Sequence, residues 1–123
     1  MNSLALAYIG DATYELYIRM FLINKGLTKV NNLQKGAINF VSAKNQAKYL
    51  KMLINDKILT DEELVIVTRA RNHKVNSHPK NTDIITYKLA TGLEALIGFL
   101  KINNNEKRIK EIMEYITKVG ITC

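Results

Sequence analysis

The stretch from Leu4 to Leu22 is long enough for a helix, carries apolar residues on every face, and holds an aspartate, Asp11, in its middle. Leu4, Leu6, Tyr8, Ile9, Leu16, Ile18, Met20, Phe21 and Leu22 leave no broad polar side, so the helix is expected to be buried on several sides. Glu15 falls one turn after Asp11 on the same face. No Lys or Arg precedes Arg19. A carboxylate withdrawn from water needs a cation or hydrogen-bond donors, and a hard metal ion is one remedy. The other arrangement keeps Asp11 in solvent beside a flexible Gly10 and pairs Glu15 with Arg19 at the i, i+4 spacing. The stretch alone leaves both open.

The rest of the chain narrows the field. Its 123 residues suffice for one core but not two, which predicts a single domain over residues 1–123. With 18 Lys and Arg against 11 Asp and Glu, the formal net charge is +7, a balance that attracts polyanions such as nucleic acid or an anionic membrane. Cys123 is the one cysteine, so no internal disulfide forms, which fits a reducing cytoplasm. The start lacks a basic region before its apolar run, and Asp11 interrupts that run too early for a membrane span. One proline, six glycines and no repeat point to an all-α fold of about six helices.

In chain order, Gly26 reads as the stop of the first helix. Asn31 or Asn32 is placed as the cap of a short second helix, Leu33 to Phe40. Ser42 caps a third, with Ala43, Ala47, Leu50, Leu53 and Ile54 as its apolar stripe and Lys44, Lys48 and Lys51 on a solvated face. Thr60 and Glu63 match a capping box. The helix they open runs into Arg69-Ala70-Arg71-Asn72-His73-Lys74. From Arg69 to Lys80 there are four Lys or Arg, two histidines and no acid. Ser77-His78-Pro79 is expected to end any helix. The fifth helix runs from Asp83 to about Leu100, capped by Asn81, Thr82 or Asp83 itself. The sixth, Asn105 to Lys118, stripes Ile109, Ile112, Met113 and Ile116. Val65-Ile66-Val67 is too short for a strand.

The fifth helix repeats the oddity of the first. Glu94 lies among Leu93, Leu96 and Ile97, with Ala90, Thr91 and Gly98 on its own face, and it is the only acid between Asp83 and Glu106. Small neighbours let another helix or a ligand approach closely. If the two apolar helices pack with their acids converging, they form an oxygen-rich cation site at a helix seam.

Several blocks together carry a resemblance: Leu4 to Leu16 with its Gly10-Asp11-Ala12 core, Val41 to Ala47, Arg69 to Asn72, Pro79 to Asp83, and Thr91 to Gly98. Over almost the whole chain, and in the same order, they resemble Mini-ribonuclease III, the ribonuclease III catalytic domain without an appended double-stranded-RNA-binding domain. The resemblance implies an all-helical homodimer that cuts double-stranded RNA with Mg2+, which Mn2+ can replace, and that matures precursor 23S ribosomal RNA in the cytoplasm. It implies Asp11 and Glu94 as the catalytic, metal-holding acids. Full-length ribonuclease III carries acids where Ala7 and Thr91 stand here, a loss also typical of the Mini group, so the number of metal ions stays open. Ala70 stands where a glycine is expected.

On that reading, Glu15 either acts through metal-bound water or pairs with Arg19, and Asp83 caps its helix. Arg71, Asn72, Lys74 and Lys80, with Arg69 and His73 beside them, are the expected RNA contacts, since A-form duplexes are recognised largely by shape through phosphates and 2′-hydroxyls. Helix-end capping is the competing role for Arg69 and Arg71. A zinc pair of His73 and His78 is disfavoured by the lack of a nearby cysteine. Tyr8, Tyr14 and Tyr17 are assigned to packing, and part of the first helix to a subunit contact. A ribosomal protein is a further candidate partner. The competing functions are a non-catalytic basic RNA-binding protein of ribosome assembly and a helical metal-binding or protein-interaction module.

Overall fold

The computed structural model describes residues 1–74, 78 and 80–122, with the backbone alone at 121 and 122. Six helices follow in order: α1 (Ser3–Asn24), α2 (Val30–Val41), α3 (Ala43–Asn55), α4 (Asp61–Arg71), α5 (Ile84–Ile102) and α6 (Glu106–Thr122). No strand occurs among the described residues, in keeping with the all-α expectation.

Side-chain caps set most of the starts. Asn2 accepts from the Ala5 amide at 2.9 Å, Ser42 from Asn45 at 3.3 Å, and Asp83 from Thr86 at 2.9 Å. These bonds satisfy amides that have no partner inside their own helix. Asp83, and neither Asn81 nor Thr82, is therefore the cap of α5. Thr60 and Glu63 form the full reciprocal box. Gly26 ends α1 at φ +96°, with its own amide bonded to Ile23 O and that of Leu27 to Leu22 O. That pairing is a Schellman close, which favours glycine at its left-handed position. The second helix departs from expectation. It begins at Val30 with no side-chain cap, so Asn31 and Asn32 lie inside its first turn. Of the Ser77-His78-Pro79 stop, only His78 lies within the described residues, as Cys123 does not; α4 has already ended at Arg71.

The centre of the molecule is α5, not α1. Ten of its residues are buried, from Leu89 round to Leu100, and α1, α3, α4 and α6 all pack on it. The first helix buries one side only, through Leu6, Ala7, Gly10, Tyr14, Ile18 and Leu22. Its other side leaves Leu4, Tyr8, Leu16, Met20 and Ile23 in solvent, Tyr8 at 83% of its full exposure. Burial of α1 on several sides is thus corrected: within one chain, its apolar circumference exceeds what the core can cover. Tyr14 packs in the core and donates from its hydroxyl to Phe40 O at 2.7 Å, which meets the hydrogen-bonding need of a buried phenol.

A buried ion pair ties the periphery together. Glu63 is 4% exposed and receives Arg108 Nε at 2.7 Å and Nη2 at 2.8 Å, while Nη2 also donates to Ile58 O at 2.7 Å. The forked guanidinium locks the start of α4 to α6 and to the turn before α4. Burial pushes the Glu63 carboxyl up, but the Arg108 and Thr60 hydrogen bonds outweigh it and hold it below the usual carboxylate range.

Where α1 crosses α5, backbone meets backbone. A Cβ on Gly10 would overlap the Glu94 carbonyl, and one on Gly98 would overlap the Leu6 carbonyl. Helix propensity alone favours Ala over Gly by about 1 kcal/mol. Main-chain atoms cannot swing aside as a side chain does, so overpacking wins. Gly98→Ala should cost about 3 kcal/mol or more in urea unfolding, the upper part of the usual overpacking range; a loss below about 1 kcal/mol would contradict this crossing.

Candidate active site

The same crossing assembles the acids. Asp11 follows Gly10, and Glu94 lies one turn before Gly98 on the facing helix. Their carboxyls come within hydrogen-bonding reach of each other. Asp11 stands at the exposed rim, whereas Glu94 is mostly buried with one edge toward solvent. Burial, followed by the Asp11 charge and its hydrogen bond, pushes the Glu94 carboxyl up to about 8; a pull from Gln46 works weakly the other way. These are the signs expected of two crowded carboxylates without a cation between them.

Gln46 of α3 forms the third wall. It is 2% exposed, and its Nε2 has no partner at bonding distance although the carboxamide lies near enough to Glu94 to act on it. The sequence reading omitted it, yet Gln46 follows Ala43 by three and precedes Leu50 by four, inside the apolar stripe. A polar residue at such a position was the available signal. It also missed Glu63–Arg108, whose partners lie far apart along the chain.

Glu15 takes the alternative left open for it, bonding Arg19 at 2.9 Å on the exposed surface. The α3 lysines face solvent as expected. No group of three or more His, Cys, Asp or Glu that could hold a metal occurs among the described residues. Ala7 is 7% exposed, and Thr91 is 7% exposed with its hydroxyl donating to Tyr87 O at 2.9 Å. Two carboxylates, one carboxamide and open solvent remain. That donor set suits Mg2+, a hard ion that usually keeps several waters and needs only one or two carboxylates.

Helix α4 packs on both helices that carry the acids. Ala70 is buried in a small cluster with Leu6, Ala7, Ile66 and Ala95. Its methyl is therefore accommodated where a glycine was expected. Ala95 directly follows Glu94 and Ala7 lies one turn before Asp11, while Arg69 and Arg71, on either side of Ala70, are exposed. Asn72 is the exposed C-cap, and Lys74 and Lys80 are exposed. His73 is half-buried, its Nδ1 2.9 Å from Lys74 O.

Comparison with known proteins gives the family. Residues 4–105 match the Ribonuclease III domain. The chain is 45% identical to Mini-ribonuclease 3 of Enterococcus faecalis, over 99% of this chain and 93% of that one, and 50% identical to the Brevibacillus brevis protein of the same name, over 92% and 83%. A crystal structure of a Fusobacterium nucleatum protein superposes with a TM-score of 0.85 at 37% identity, covering 95% of this chain and 93% of that one. The chain belongs to the ribonuclease III family. Its relatives place it in the Mini-ribonuclease 3 group, and as a family member it is an endoribonuclease. No helix among the described residues is long and apolar enough to cross a membrane.

The raised Glu94 carboxyl has a measurable consequence without metal. The folded state keeps this proton up to about pH 8, while the unfolded chain loses it near the ordinary glutamate value of 4.5. Between those values the folded state binds more protons, so this group's contribution to stability falls as pH rises, by at most about 1.4 kcal/mol per pH unit. In chelator, Glu94→Gln should stabilise the protein by a margin that grows from about pH 5 to about pH 8. Thermal melts of wild type and variant that stay parallel across that window would contradict the site geometry.

Proposed function

We propose that this ribonuclease III family member is a Mg2+-dependent endonuclease that cuts double-stranded RNA as a homodimer, with Asp11 and Glu94 holding the metal and Mn2+ able to replace it. The observation that carries the reading is the meeting of two acids at a backbone-tight helix crossing, bordered by the basic end of α4. Residues 1–123 act as one catalytic domain in which binding and cutting share a surface. The family is generally divalent-metal dependent and acts on double-stranded RNA. The substrate is precursor 23S ribosomal RNA in the cytoplasm, with a ribosomal protein as an accessory partner.

When bound, magnesium supplies a water of lowered pKa and neutralises charge on the scissile phosphate. The protein's part follows from its residues. Asp11 and Glu94 provide the anionic oxygens, and Glu94 must surrender its proton to do so, which couples cation binding to proton release. Arg69, Arg71, Lys74 and Lys80, with Asn72 and His73, offer donors to phosphates and 2′-hydroxyls. Glu15, engaged by Arg19, has at most an indirect part through metal-bound water. The exposed apolar face of α1, with Leu4, Tyr8, Leu16 and Met20, supports a subunit contact. A two-fold axis there would match the two strands of a duplex.

Incubated with structured duplex RNA and Mg2+, the wild-type protein should cut, whereas Asp11→Asn and Glu94→Gln should retain RNA binding and lose at least about 100-fold in cleavage rate, the scale of one lost electrostatic stabiliser. Equal cleavage by all three, or by none, would defeat the nuclease assignment and favour a non-catalytic RNA-binding protein. The four Lys and Arg of the α4 border also set a salt dependence. If each neutralises one phosphate, affinity for duplex RNA should drop roughly 100-fold between about 50 and 200 mM monovalent salt. A flat binding curve over that range would remove this border from the RNA contact.

A further inference from the structure

Among the described residues, Gln46 Nε2 is the only buried side-chain nitrogen or oxygen without a hydrogen-bond partner. Other buried polar groups have partners. Thr91 donates to Tyr87 O, Thr117 to Met113 O, and Glu63 meets Arg108. An unsatisfied buried amide is destabilising, and an apolar residue of similar size would avoid that cost. Nothing in the packing of α3 on α5 asks for a carboxamide, because the flanking buried residues are Ala47, Tyr49, Leu50 and Leu53. What distinguishes the position is its neighbour. Leu50, one turn after Gln46 on α3, packs against Gly92 of α5, two residues before Glu94, and the Glu94 carboxyl feels both the Gln46 carboxamide and, from α1, Asp11.

A carboxamide nitrogen only donates, and a carboxylate only accepts. The orphaned N–H is therefore complementary to Glu94 in the ionised form that a cation requires. We propose that Gln46 is a positioning residue: its Nε2 donates to one oxygen of the Glu94 carboxylate and turns the other toward Asp11 and the cation. The inference rests on the metal-site reading of Asp11 and Glu94. It explains why a donor is buried at a site whose two acids lack one. Partners that orient a metal ligand from behind typically account for 10- to 100-fold in metal affinity.

The test uses Mn2+ alone, without RNA, titrated into the full chain by calorimetry and followed by the Mn2+ electron paramagnetic resonance signal. Gln46→Met keeps the volume and removes the donor. It should melt in chelator no lower than wild type, since an unsatisfied group is gone, and bind Mn2+ at least about tenfold more weakly. Wild-type Mn2+ affinity in a folded Gln46→Met overturns the inference and leaves the metal site standing. Wild-type protein that binds no Mn2+ removes the metal site itself, and the inference with it. Should Gln46→Met fail to fold, the side-chain amide resonances of Gln46 in 15N-labelled wild type decide. They should shift on Mg2+ addition and on Glu94→Gln, and resonances indifferent to both would overturn the proposal.

Discussion

The site depends on the approach of α1 to α5 at Gly10 and Gly98, where main chain lies on main chain without an intervening side chain. Ordinary helix pairs stand 8–10 Å apart because side chains fill the seam. At this crossing both fillers are absent, and the carboxyls one residue after Gly10 and one turn before Gly98 reach each other. A wider seam would leave Glu94 facing apolar side chains and Asp11 facing water. The glycines thus do geometric work in a region where helix propensity argues against them.

Two mostly or fully buried glutamates show opposite treatments of the same cost. Glu63 has a cation built into the fold, and Arg108 holds its carboxyl low. Glu94 has a second acid at its side and is pushed up instead. Burying a charge is tolerable when a partner compensates it. For Glu63 that partner is covalently part of the chain, so the pair is permanent and ties α4 to α6. For Glu94 the fold supplies an aspartate and a carboxamide, and the proposed magnesium has to complete the balance from solution. Such a site is better suited to exchange and chemistry than to holding helices together.

Much of this was legible in the sequence, for identifiable reasons. Ser42, Thr60–Glu63 and Gly26 act through neighbours a few residues away, so their spacing sufficed. The isolation of Asp11 and Glu94 in apolar helices flagged them because an unpaired acid there is costly. What failed were judgements that depend on the third dimension. Apolar content marked α1 for burial on several sides, yet α5 occupies the centre and α1 keeps Tyr8, Leu16 and Met20 outside. The second helix begins without a side-chain cap, so no pattern could have dated its start to Val30. Arg108 meets its partner 45 positions away, and Gln46 stands beside an acid 48 positions away, separations no local pattern records.

Packing accounts for the two positions near the centre that carry no acid. At Ala7 and Thr91, where the resemblance to full-length ribonuclease III would place carboxylates, the structure has small or self-satisfied side chains in the seam. Ala7, Ala70 and Ala95 belong to one small buried cluster where α4 packs on α1 and α5. A carboxylate at position 7 would need solvent or a partner, and that apolar cluster offers neither. The centre therefore keeps two acids, which limits the negative charge that the phosphate of the proposed substrate must approach.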